Sequence, residues 1–196
     1  MNEQIIENYK TDTFEAFRNY KKLAERAIAQ VTQDEYFKAI DAEANSIAVI
    51  VKHLGGNLRS RWTLFLTSDG EKADRDRDSE FIAETDTRES LDALWEMGWN
   101  AVLATLDALQ TEDFGRTVQI RGEDFSVVKA ITRSLTHTAY HVGQIAFLAK
   151  HFRAADWKTL SVPRGQSQDF NAFLAENKGQ AHYLEATQDF AQSSKE

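Results

Sequence analysis

Two of the five histidines, His137 and His141, stand four residues apart in the stretch SLTHTAYHVGQIAFLAK. The apolar spacing there is helical throughout. A third, His53, lies in a second helix-periodic stretch, IAVIVKHLGGNLRSRW. Residues at i and i+4 lie one above the other on one face of a helix. Two imidazoles so placed can chelate one metal ion, and a histidine from a facing helix would complete a three-nitrogen site. The same spacing also fits a plain polar edge, half buried and hydrogen-bonded to its neighbours. Thr138 follows His137, so the motif is not H-E-x-x-H and lacks the built-in general base of a zinc protease.

The elements that would position these side chains follow from periodicity. One proline, Pro163, occurs in 196 residues, and long stretches lack helix breakers. The pattern predicts an all-α fold of four long helices, over 3–30, 45–66, 87–109 and 126–152. The second helix carries Ile47, Ile50, Leu54, Leu58, Trp62 and Phe65 on its buried side. The fourth carries Ile131, Leu135, Val142 and Ile145. By the period of 3.6, all three histidines fall at the edges of these stripes, where a cleft between helices would open. The charged stretch 67–86 reads as a long surface loop, with a turn at Asp69-Gly70. Asp86 with Glu89 resembles a capping box for the third helix. Residues 117–122 alternate like a short strand or hairpin, and the tail from Trp157 suggests one or two short helices. No repeat or linker divides the chain, so a single domain over 1–196 is expected.

Gln144 shares the face of His137 and His141, and Asn57 is similarly placed relative to His53. Either could orient an imidazole or simply line a polar edge. Tyr140 and Trp62 are pocket or core residues. The run RDRDSE, 75–80, reads as a solvated stretch, or as a lid that brings Arg75 or Arg77 to an anionic substrate; Arg164 has the same two readings. His151 and His182 are expected to be exposed.

Composition narrows the chemistry. There is no cysteine, which excludes disulfides, thiolate ligands and a cysteine nucleophile. A tight transition-metal site must therefore use imidazole nitrogen and carboxylate oxygen. A net charge of −8 argues against nucleic acid as a partner. No apolar run approaches the roughly 20 residues that a membrane helix needs, and MNEQIIENYK is not a signal peptide. A soluble, cytoplasmic protein is expected.

His53 on the second helix, followed by HTAYHVGQI on the fourth, resembles the DinB-like metal-binding four-helix bundle superfamily, which includes YfiT-like thiol transferases. KHLGGNLRSRW, LTSDGEKADRDRDSEF and SVPRGQSQDFNAF resemble one uncharacterised subfamily, so the likeness covers nearly the whole chain. It implies an up-down four-helix bundle, a homodimer, and a divalent metal ion, zinc or nickel, held by His53, His137 and His141. It further implies a low-molecular-weight thiol as co-substrate and a small-molecule substrate in a transfer reaction. A metal-dependent hydrolase, or a noncatalytic metal- or ligand-binding stress-response bundle, are the alternatives.

Overall fold

A computed structural model describes residues 3–178, 186–187 and 189–191. Helix makes up 67% and strand 4%, which bears out the all-α class. Among the described residues no helix is long and apolar enough to cross a membrane. The chain forms two compact units, Met1–Phe152 and Arg153–Glu196.

In the first unit, α1 (Glu3–Ile28) buries Phe17, Ala24, Ala27 and Ile28 along one face. The short α2 (Gln33–Phe37) was not foreseen. It begins in a capping box in which Thr32 and Glu35 satisfy each other's backbone amides. Its Tyr36 is fully buried beneath the guanidinium of Arg88. Helix α3 (Ile47–Trp62) starts at Ser46, whose hydroxyl accepts from the Val49 amide. It is buried on nearly every side.

Periodicity carries the expected helix to residue 66, but α3 stops at Trp62 because the next residues reverse the chain. Leu64 takes a positive φ of 50°, and Phe65 folds back to stack on Trp62 with ring centroids 4.9 Å apart. Helix α4 (Arg88–Ala108) is capped by Thr87, whose hydroxyl accepts from the Ser90 amide. The expected Asp86–Glu89 box is therefore displaced by one residue, and Asp86 instead pairs with Lys52 at 2.6 Å.

Strands β1 (Thr117–Ile120) and β2 (Glu123–Ser126) form an antiparallel hairpin. Its two turn residues, Arg121 and Gly122, both have positive φ, as a two-residue hairpin loop requires. Helix α5 (Val127–Arg153) follows directly. It is joined to α1 by Tyr9 Oη, 2.8 Å from Thr132 Oγ1, and to α3 by Trp62 Nε1, which donates to Ser134 Oγ at 2.9 Å. In the second unit, α6 (Ser167–Glu176) packs Phe170 and Phe173 against Phe190, with centroids 5.3 and 5.5 Å apart.

The contact that sets the spacing of the first unit is between α3 and α4. A Cβ on Gly98 would lie 2.6 Å from the Gly55 carbonyl oxygen, and one on Gly55 would lie 3.0 Å from that of Leu94. The backbones meet directly there, so neither side can yield by rotating a side chain. Gly98→Ala is expected to destabilise the protein by about 1–3 kcal/mol through overpacking. Gly143→Ala, on an exposed stretch of α5 with nothing within 4 Å, is expected to gain about 0.5–1 kcal/mol of helix propensity. Urea unfolding of the two variants checks the contrast, and equal responses would refute the close-approach argument.

Candidate metal centre

Helix α3 delivers His53, and α5 delivers His137 and His141 from successive turns. The Nε2 atoms converge. His137 Nε2 lies 3.4 Å from that of His53 and 3.2 Å from that of His141. One ligand atom from each histidine falls within 4.8 Å of the other two. Nitrogens about 2.0–2.1 Å from a tetrahedral ion stand roughly 3.3 Å apart, and the two measured separations bracket that value.

Tautomers follow from what lies behind each ring. His53 Nδ1 is 2.9 Å from Glu80 Oε2. An ionised carboxylate only accepts, so His53 carries its proton on Nδ1 and turns the Nε2 lone pair inward. His141 Nδ1 donates to Gln144 Oε1 at 2.8 Å, with the same consequence. His137 Nε2–H could satisfy one of these two facing lone pairs at a time. Its own Nδ1 is buried with no hydrogen-bond partner among the described residues. A cation reconciles all three nitrogens at once, so the donor set fits a divalent metal ion.

The electrostatics keep the donors free. Burial, then the neighbouring His141 and His53, then Arg133 and Arg75 push His137 down to about 3. Burial and His53 push His141 down to about 4, against the opposing hydrogen bond to Gln144. Both are neutral at pH 7, with lone pairs available.

The supporting shell departs from expectation. Gln144 backs His141 as its spacing suggested, but among the described residues no hydrogen bond joins Asn57 to His53. That place belongs to Glu80, which the sequence reading missed inside the charged loop. The loop does not simply lie in solvent: Glu80 is 5% exposed and the Arg75 side chain 3%. Arg75 grips Glu80 with two parallel bonds of 2.7 and 2.8 Å, so it is committed to the protein and does not face a substrate. Burial alone would raise the Glu80 carboxyl. Hydrogen bonds from His53 and Arg75, with the Arg75 charge, outweigh it and hold the group below its ordinary value.

Gly56 makes this approach possible, since a Cβ there would lie 2.9 Å from the Glu80 carboxyl carbon. Phe81 stacks on His53 at 4.9 Å, and Arg77 lies over Phe81. Trp62 is core, 1% exposed, whereas Tyr140 is 63% exposed and its ring adjoins His141 at 4.8 Å. His151 is exposed near the end of α5, Arg164 is exposed in the second unit, and His182 lies outside the described residues.

Two predictions follow from this geometry. Partners that orient metal-ligating imidazoles typically contribute 10–100-fold in affinity. Glu80→Gln should therefore weaken metal binding by about that factor while the helical circular dichroism is kept; calorimetric titration decides, and unchanged affinity would sink the role given to Glu80. The second concerns the metal-free protein. His137 and His141 have folded values below the unfolded value of about 6.5, so the folded state binds fewer protons. Stability should be flat above about pH 6.5 and fall as pH drops toward 4. In a His137→Gln/His141→Gln double variant that slope should flatten, as urea midpoints across this range would show.

No curated protein and no solved structure matches the chain. A family model described as "Protein of unknown function (DUF1572)" matches residues 4–166, a span holding all three histidines, Gln144, and the Arg75–Glu80 pair. The chain belongs to that family.

Proposed function

We propose that this protein is a metal-dependent enzyme of the DinB-like kind, in which His53, His137 and His141 hold one divalent ion, zinc or nickel. The observation that carries the reading is the convergence of three Nε2 atoms, with the proton positions of His53 and His141 fixed from behind by Glu80 and Gln144. On this reading α1, α3, α4 and α5 form an up-down four-helix bundle, and the protein acts as a cytoplasmic homodimer.

When bound, a divalent ion held by three neutral imidazoles supplies Lewis-acid activation of a thiol or a water near neutral pH. The chain has no cysteine, so the thiol of a transfer reaction is a separate low-molecular-weight compound. Glu80 and Gln144 keep the rings oriented, and Arg75 holds Glu80 ionised and in place.

A groove of about 470 Å³ is bordered by Ile50, Tyr140, Gln144, Phe147 and Leu148; it reaches His141 through Tyr140 and Gln144, and no histidine lines it. Its size is that of a small-molecule site. Tyr140 and Phe147 are 63% and 64% exposed there, offering aromatic surface to an apolar or aromatic substrate.

Protein purified without tag or chelator should contain near-stoichiometric metal, and His137→Ala/His141→Ala should contain almost none. Metal-loaded protein should accelerate addition of a small thiol to a panel of electrophiles. Turnover that persists without thiol would identify hydrolysis instead. Full metal occupancy with no turnover would reduce the protein to a metal-binding module, and no metal in the wild type would overturn the reading altogether.

A further inference from the structure

The groove between α5 and the segment that leads into α3 has a chemical character of its own. Tyr140 and Phe147 stand seven residues apart on α5, which puts them on one face of the helix about 10 Å from each other. Both rings are largely open, at 63% and 64% exposure. Large apolar side chains left open together mark a surface that meets a ligand. Ile50 and Leu148 form an apolar floor between the two sides.

The groove also has a direction. Its inner end is the His141 side, where the Tyr140 ring adjoins the imidazole at 4.8 Å and Gln144 Oε1 accepts from its Nδ1. Its outer end is the Phe147 side. Helices α3 and α5 meet at His53 and His141 and again at the Ile50 side of the groove, so the segment before α3 falls toward the far end of α5. Lys38, whose ammonium lies 5.9 Å above the Phe152 ring, marks that proximity. The same segment brings Glu43 to the groove wall. Asp41 Oδ1 accepts from the amides of Glu43 and Ala44, a turn that holds the stretch in place.

Charge sets the preference. Glu43 is the one carboxylate that borders the groove, and no lysine or arginine borders it. Its carboxylate has no hydrogen-bond or ion-pair partner among the described residues. An anionic ligand would meet Glu43 with no counter-charge, and a neutral one would leave the carboxylate unused. An ammonium group is attracted both by a carboxylate and by the face of an aromatic ring. The net charge of −8 favours its approach. A metal ion held by the histidines would add positive charge at the inner end, which keeps a cationic head at the outer one.

We propose that the groove recognises a small organic cation, an ammonium group carried on an apolar body, with the ammonium at the Phe147 and Glu43 end and the rest of the molecule directed toward Tyr140 and Gln144. That such a molecule is the substrate rests on the metal-enzyme reading; recognition of the ammonium requires neither metal nor turnover.

Amide shifts of the 15N-labelled full-length protein, titrated with choline and with its neutral isostere 3,3-dimethylbutan-1-ol, test the proposal. Benzyltrimethylammonium and phenylacetate extend the comparison to cation and anion on an aromatic body. The two cations should shift amides within 43–45 and 140–148, and choline should bind at least about 2–5-fold more tightly than the isostere. Glu43→Gln and Phe147→Leu, both at exposed positions, should each weaken choline by about 2–5-fold. Leucine keeps the apolar surface and removes only the aromatic face. Equal affinity for choline and the isostere, unchanged affinity in both variants, or tighter binding of phenylacetate would overturn the proposal. Metal content measured on the same samples separates the two readings. Ammonium binding without metal sinks the enzyme reading alone, and full metal occupancy without ammonium binding sinks this inference alone.

Discussion

The hydrogen bond from His53 Nδ1–H to the Glu80 carboxylate joins the two parts of this molecule that sequence distance keeps apart. On one side are the helices, which bring three imidazoles together. On the other is a charged loop whose base is anchored separately, by Asp69 on the hairpin and by Glu71 on Arg61. Burying a carboxylate is costly unless it is paired and hydrogen-bonded. Here Arg75 supplies the charge and two parallel donors, and His53 supplies the third. In return the carboxylate fixes the tautomer of His53, so the lone pair faces inward. The absent side chain at Gly56 and the backbone contact of Gly55 with Gly98 serve two different faces of α3. One admits the loop, and the other draws in α4.

How far the sequence reveals this arrangement depends on whether a signal is periodic. His137 and His141 are legible because a helix places i and i+4 together, and Gln144 because i+3 brings it behind His141. The four long helices are legible from their stripes. Glu80 is not, because it is one of several acids between Glu71 and Glu84 in a stretch without periodicity. What singles it out is Gly56, which lies on another element. The end of α3 is hidden for a related reason: Trp62 and Phe65 keep helical spacing in sequence, yet meet by stacking after the chain has reversed. Helix α2 was missed although T-x-x-E at Thr32 marks its start, because five residues give too little pattern to register.

Arg61 shows a different limit. As an arginine it is of a residue type that ordinarily reaches outward to water. The structure buries it, because Asp69 and Gly70 bring the loop and the hairpin over it. Its electrostatic situation is thus produced by segments some 10 and 60 residues away, and no local window contains it.

The Asp69 carboxylate also bears on how the chain is built in time. It binds the amides of Arg121 and Gly122, more than 50 residues downstream. During synthesis the loop that carries Glu80 emerges long before the hairpin that anchors its base, and α5 comes later still. His53 therefore meets its partner imidazoles only after most of the first unit has been made. A nascent chain that pauses before residue 122 lacks the amides that anchor Asp69 and two of the three imidazoles, so the site cannot be completed around its first histidine alone.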